Sequence, residues 1–445
     1  MARQYFFLSD LHIGGDGPLN VCDFEEELIN FLRMLENEPP DTELMLVGDI
    51  FGLWEFTSAT GREKLTAIVA SHRRLFDQFI RTGSRIRISM IPGNHDYDLA
   101  CDPGFVPMLA ELGIVLEPVA STTREILGRK LWIEHGSQYD SANCSPGFGN
   151  PLSLPLGFHI VQNIVLRFAQ ASRFGRGDWL KDLRGVHPYE AIPHWMFSNY
   201  FYREMAPFLR YGALPFLLMF APAAVFAAGL YAERWGLLTT RFFTNLESSL
   251  VAMGGMFGGV ISAFLLFNVW VVTLVVVAAI PSVLIYRDLK RTFSRYGLQK
   301  AADLTTGGQV YIEAARRVFT EHPDVSVFIY GHTHRPSLTW EQDRVILNTG
   351  TWLRELRTVP TWFRFLPDVY YPFVSLGYFK IYALDQQIAI DYKVWPCRVI
   401  VQYTALERLL TFQRSAAVPI GAGYIPEQVC VDVRRDAPFS DARAS

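Results

Sequence analysis

Short apolar runs that stop abruptly at polar, metal-competent residues recur along this chain. Residues 4–9 read as a buried strand and give way to Asp10-Leu11-His12. Residues 43–47 read as a second strand, followed by Gly48-Asp49, and 85–91 as a third, followed by Pro92-Gly93-Asn94-His95-Asp96. A hairpin is predicted over 123–127 and 130–134, with Gly128-Arg129 at the turn, and its second arm runs into His135. The run 325–330 ends in Gly331-His332-Thr333-His334. Between these runs the spacing is helical. Over 23–36 it places Phe24, Leu28, Phe31, Leu32 and Leu35 on one face, with Asp23 as the cap. One long helix is predicted over 62–81, a short one over 105–112 and another over 307–321. The stretch Leu347-Asn348-Thr349-Gly350-Thr351 follows, and residues 378–384 and 388–395 read as two further strands. A helix-like stretch at 406–413 precedes a polar tail expected to be disordered.

Composition narrows the class. A chain of 445 residues suggests two or three units. A net charge of −3 supplies no basic field for nucleic acid. The five cysteines (22, 101, 144, 397 and 430) are scattered and show no CxxC spacing, so they read as reduced thiols of a cytoplasmic protein. No apolar h-region or cleavage site marks a signal peptide. The chemistry lies at the strand ends, which collect Asp10, His12, Asp49, Asn94, His135, His332 and His334. Two carboxylates, one amide oxygen and four imidazoles, without a thiolate, suit Mn²⁺, Fe or Zn²⁺, with Mn²⁺ the first expectation. Seven ligands are too many for one tetrahedral ion and fit two divalent metal ions sharing a bridging carboxylate. Two metals about 3.5–4 Å apart are the usual clamp for in-line attack on phosphorus. Taken singly, each piece is ordinary. Asp-x-His after a strand is more often a turn, and Asn-His-Asp suits an Asx turn. The weight lies in five pieces in order, each at a strand end.

The order Asp10-x-His12, Gly48-Asp49, Gly93-Asn94-His95-Asp96, His135, Gly331-His332-x-His334 resembles the calcineurin-like metallophosphoesterase family, over about residues 3–140 and 306–395. The resemblance implies an α/β fold, a four-layer α/β/β/α sandwich with metals at the strand ends. It implies that Asp10, His12 and His334 hold one metal, that Asn94, His135 and His332 hold the other, and that Asp49 bridges. It makes His95 the proton donor to the leaving group and Asp96 the carboxylate that orients it. Within the family, Gly48 to Trp54, His135 to Asp140 and Gly331 to Pro336 resemble the branch of UDP-2,3-diacylglucosamine pyrophosphatases, enzymes of lipid A synthesis. Two positions depart from that branch: Gly52 stands where an Asp is frequent, and His95 where an Arg is typical.

Between the halves of this pattern the texture changes. Residues 145–155 are rich in Pro, Gly and Ser, and the chain to about 209 is aromatic and basic. No charge falls between Arg210 and Glu233, or between Glu247 and Arg287. Runs of this length can cross about 30 Å of hydrocarbon. An inserted transmembrane helical hairpin is therefore expected, with spans at about 211–232 and 263–286. His135 and His332 flank it yet must reach one centre, so the number of crossings is even. Arg203, Arg210, Arg287, Lys290, Arg291 and Arg295 flank the pair and outweigh Arg234 and Arg241 between the spans. By this excess the catalytic side faces the cytoplasm, at the inner membrane. An apolar hairpin buried in a soluble dimer is the competing account. The organisation expected is a phosphoesterase domain in two parts, 1–145 and 306–395, an insertion at 146–305 and a C-terminal extension at 396–445. The expected activity is hydrolysis of a phosphoester or pyrophosphate bond, with the lipid bilayer and a phosphate-containing, lipid-linked substrate as partners. The rivals are a phosphatase or phosphodiesterase for a soluble or protein substrate, and a non-catalytic metal-binding scaffold. Oligomeric state is left open.

Overall fold

The structure, a computed structural model, describes residues 4–16, 22–145, 147–165, 186, 192–252, 308–362, 366–397, 404–412 and 425–432, with scattered positions between 259 and 288. Its strands are β1 (Gln4–Leu8), β2 (Thr42–Val47), β3 (Arg87–Ile91), β4 (Val115–Leu116), β5 (Ser121–Ile126), β6 (Arg129–Glu134) and β7 (Val325–Tyr330). They continue with β8 (Ser337–Glu341), β9 (Arg344–Asn348), β10 (Glu355–Val359), β11 (Val369–Phe373), β12 (Leu376–Leu384), β13 (Gln387–Trp395) and β14 (Gln428–Asp432). Seven form one sheet in the order β14-β13-β12-β1-β2-β3-β4, five form a second in the order β5-β6-β7-β9-β8, and β10-β11 stand as a separate pair.

Side-chain alternation along the strands sorts these sheets into layers. Phe6, Leu8, Leu44 and Leu46 face one way and pack on helices through Leu28, Phe31, Leu32, Phe76 and Phe79. Tyr5, Phe7, Met45 and Val47 face the other way and meet Leu131, Ile133, Val327 and Ile329 of the second sheet. Phe328 and Tyr330 turn to that sheet's outer face and are covered by Ala314, Ala315, Val318 and Phe319 of the helix Gln309–Glu321. Helices, sheet, sheet and helix make the expected four-layer α/β/β/α order. Chain segments from both sides of the insertion share each sheet, since β1 pairs with β12 and β6 with β7.

Several expectations change. The long helix over 62–81 is two helices, Glu63–Ser71 and Arg73–Gly83, broken at His72. The His72 ring is held by Glu25 (Nδ1 to Oε2, 2.7 Å), which ties the break to the first helix. The C-terminal extension contributes β14, whose Val431 is buried between the sheets; residues 433–445 of the expected disordered tail lie outside the described residues. Among the described residues no helix is long and apolar enough to cross a membrane. The expected span 211–232 falls within one helix, Pro207–Arg234. Of the span 263–286 only scattered positions are described. The transmembrane hairpin is thus without support in the fold.

Candidate metal centre

β1, β2 and β3 run parallel in one sheet, and β6, β7 and β9 run parallel in the other. Their C-terminal ends carry the polar pieces, the place where open α/β sheets keep their chemistry. The chain turns there by unusual means. Asp10, His12, Asp49, His332 and His334 all have left-handed backbones, with φ between 46° and 67°. For residues with a side chain this conformation costs about 1–3 kcal/mol each, and it gathers at functional sites. It also aims Asp10 with His12, and His332 with His334, at one region although each pair is separated by one residue. Gly93 and Gly331 permit the approach of neighbouring loops. A Cβ on Gly93 would lie 2.5 Å from the Asp49 amide nitrogen, and one on Gly331 would lie 2.6 Å from Asp10 Oδ2.

The expected ligands assemble in two groups. Ligand atoms of Asp10, His12 and His334 lie within 4.8 Å of one another, as do those of Asp49, His135 and His332. In the first group, His12 Nε2 and His334 Nε2 are 3.2 Å apart, and Asp10 Oδ1 is 3.3 Å from His334 Nε2 and 3.9 Å from His12 Nε2. That carboxylate oxygen is buried and accepts no hydrogen bond. In the second, His135 Nε2 lies 3.2 Å from Asp49 Oδ2 and 3.1 Å from Asn94 Oδ1. Asp49 stands between the groups, because the same Oδ2 is 3.7 Å from His12 Nε2. Its other oxygen accepts the His95 amide N–H at 2.7 Å.

These atoms form a donor set for cations. His135 Nδ1 donates to the Val47 carbonyl at 2.9 Å, so in the neutral ring Nε2 carries a lone pair. That lone pair faces a carboxylate oxygen and an amide oxygen, three acceptors with no hydrogen between them. Burial favours the neutral ring, yet the Asp49 carboxylate raises His135 to about 10. Asp49 pays for its own burial in the opposite sense: His135, His95 and His12 hold it well below the usual carboxylate range. A divalent cation resolves the facing acceptors without the second proton, and the residues present fit it.

Two carboxylates beyond the expected set support the rings. His332 Nε2 donates to Asp140 Oδ2 at 3.0 Å; burial opposes the Asp140 charge, but this bond lowers its pKa overall. A carboxylate behind a ligating imidazole is the usual orienting arrangement. His95 Nδ1 donates to Glu55 Oε1 at 3.0 Å, and its ring lies against Trp54 with centroids 4.3 Å apart. Trp54 is backed in turn by Phe158, and its carbonyl accepts from Gln162 Nε2 at 2.5 Å, so the start of the insertion braces the site.

Asp96, expected to orient His95, is turned toward the backbone. Its carboxylate accepts four backbone N–H groups, of Gly93 (2.6 Å), Ile50 (2.8 Å), Phe51 (3.2 Å) and Asp49 (3.3 Å). Both oxygens are occupied in clamping the loop after β2 to the loop after β3. Burial, and then the charge on Asp49, raise its pKa to about 7. The carboxylate on His95 is Glu55. It lies six residues past Asp49, in a turn that gives no periodic signal; Asp140, at the end of the His135 motif, had a motif position but no assigned role.

Among known proteins, residues 4–225 match the family model described as calcineurin-like phosphoesterase. Of solved structures, the chain is similar to a conserved uncharacterized protein from Streptococcus pneumoniae TIGR4, described as a predicted phosphoesterase. That match has 9% identity, 88% of this chain and 90% of the other, and a TM-score of 0.27. It is also similar to the phosphopantetheinyl hydrolase of Mycobacterium tuberculosis, with 14% identity, 79% of this chain and 90% of the other, and a TM-score of 0.24. These structural likenesses are too slight to bear on the chemistry. No curated protein matches the chain. Residues 4–225 of this chain thus carry the match to the calcineurin-like phosphoesterase family.

Proposed function

We propose that this phosphoesterase is a two-metal hydrolase, with Asp10, His12 and His334 at one ion, Asn94, His135 and His332 at the other, and Asp49 shared. The observation that carries the reading is the convergence of imidazole nitrogens and carboxylate and amide oxygens in two groups around the Asp49 carboxylate. Mn²⁺ suits this set first, and Fe or Zn²⁺ accept the same donors. Such ions supply Lewis acidity and an activated water at neutral pH. The chain's own residues do the rest. The seven ligands fix where the phosphate lies. Asp140 orients His332. His95, held by Glu55 and Trp54, gives a proton to the departing oxygen. Phosphoester or pyrophosphate cleavage needs this pairing of charge stabilisation with a proton for the leaving group.

The finer reading is a lipid-linked substrate such as UDP-2,3-diacylglucosamine, cleaved at the cytoplasmic face of the bilayer. The motifs around Asp49, His135 and His332 favour it. So does an apolar surface on the insertion, where Val225, Trp235, Leu237, Phe242, Trp270 and Leu274 are exposed. The test is hydrolysis of UDP-2,3-diacylglucosamine with added Mn²⁺, using Asp49→Ala as the blank. Release of UMP by the wild type alone is expected. Cleavage of an aryl phosphodiester without UMP release would keep the hydrolase and discard the lipid nucleotide. Flotation with vesicles of anionic phospholipid tests the bilayer contact, and a protein that stays in the soluble fraction refutes it.

A further inference from the structure

Glu55 and Gly52 form one device. Glu55 ends the short turn Leu53–Glu55, and only 2% of it is exposed. One carboxylate oxygen, Oε1, receives His95 Nδ1–H. The other, Oε2, lies 2.9 Å from where a Cβ on residue 52 would stand, and the carbonyls of Gly14 and His12 close that space at 3.3 Å each. The backbone of Gly52 has φ −82° and ψ 65°, a turn conformation open to residues with side chains. Glycine is therefore not needed there for its backbone. It is needed for the room it leaves, and the carboxylate of Glu55 fills that room. The turn is held from outside by Asp16, whose Oδ2 accepts the amides of Thr57 (2.6 Å) and Ser58 (2.8 Å).

We propose that Glu55 is the positioning residue for His95, and that a bare position 52 is the condition for its reach. By accepting Nδ1–H, Glu55 fixes the ring's orientation and tautomer. Nε2 is then the nitrogen that hands a proton to the leaving oxygen. A side chain at 52 evicts the carboxylate, whereas an aspartate at 52 can replace it once Glu55 is shortened.

The inference rests on the hydrolase reading, and its experiment keeps the two apart. Glu55→Gln, Glu55→Ala, Gly52→Ala, the double variant Gly52→Ala/Glu55→Ala and the swap Gly52→Asp/Glu55→Ala are assayed with Mn²⁺. The substrates are a p-nitrophenyl phosphodiester and a phenyl phosphodiester, whose leaving groups need little and much protonation respectively. General-acid catalysis is worth about 10²–10⁴-fold. Glu55→Gln, whose amide oxygen still accepts Nδ1–H, is expected to lose little, and Glu55→Ala about 10–100-fold in kcat on the phenyl ester, a few-fold on the p-nitrophenyl ester, with KM and bound metal unchanged. Gly52→Ala should match Glu55→Ala, the double variant should be no worse than either, and the swap should recover part of the loss. The ¹⁵N shifts of His95 give a readout apart from turnover, with the Nδ1–H form lost in Glu55→Ala. Equal losses on both esters, or multiplying losses in the double variant, would overturn the inference. A wild type that cleaves neither ester would instead overturn the hydrolase reading.

Discussion

Replacing Asp96 with asparagine separates two roles that look alike in sequence. The side chain keeps its shape, but one oxygen becomes an NH₂ donor. If that is Oδ2, the amides of Ile50 and Phe51 face a donor; if Oδ1, those of Gly93 and Asp49 do. Either way two buried N–H groups lose their acceptor. Each such loss costs about 1–3 kcal/mol, so about 2–6 kcal/mol is expected, reduced somewhat by relief of the repulsion between Asp96 and Asp49. Against a typical total of about 5–15 kcal/mol the protein still folds, with a clearly lower urea midpoint. Turnover should fall on aryl esters of good and poor leaving groups alike, because the Asp49 loop moves and His95 keeps Glu55. The assay is urea unfolding in Mn²⁺ buffer beside kcat on the two esters. An unchanged midpoint with a loss confined to the poor leaving group would refute the clamp and return Asp96 to the service of His95.

Other outcomes follow from the same geometry. Removal of metal by a chelator should lower the melting temperature, and Mn²⁺ at a hundred times its dissociation constant should restore about 2.7 kcal/mol per site; a melting curve indifferent to both would argue against the donor set. Asp49→Ala should bind fewer than two metals by elemental analysis, since its carboxylate faces both groups. Burial works against the Glu117 charge, but Arg124 and Thr122 hold its pKa below 4.5 overall, so its contribution to stability is full above 4.5 and is lost as pH falls through the lower, folded value. Glu117→Gln should therefore flatten the acid limb of the stability–pH curve and leave pH 7 to 8 with no further slope. Val431→Ala should cost about 1.5–3 kcal/mol in urea unfolding, because that side chain fills the space between the sheets.

Much of the centre could be read from order alone. Each apolar run is a buried strand, and the residues that follow it lie on the same edge because the strands are parallel. What the pattern does not encode is contact across turns. Glu55 reaches His95 through a three-residue turn, and Asp140 reaches His332 from another loop; neither spacing repeats. Asp96 adjoins His95 in the chain, but adjacency does not aim a side chain, and the amides of two loops hold its carboxylate. His72 interrupts a periodic apolar face because its ring is held from the side by Glu25. β14 is five residues long with two valines, too short to stand out from a polar tail. Uncharged runs such as 211–231 show that a segment avoids charge, and avoidance of charge does not specify what covers it.

The pairing of β1 has a consequence for how the chain is made. β1 lies inside its sheet, with β2 on one side and β12 on the other, and Gln4 pairs with Tyr382. β2 leaves the ribosome soon after β1, whereas β12 follows the whole insertion. At about 5–20 residues per second, one edge of β1 waits roughly 20–75 seconds for its neighbour. During that time its amides and carbonyls are a template for any extended segment nearby. The nascent protein is thus most exposed to misassembly while its insertion is being synthesised. A chain stopped before β12 should emerge as aggregate or bound to chaperone, whatever the condition of its metal ligands.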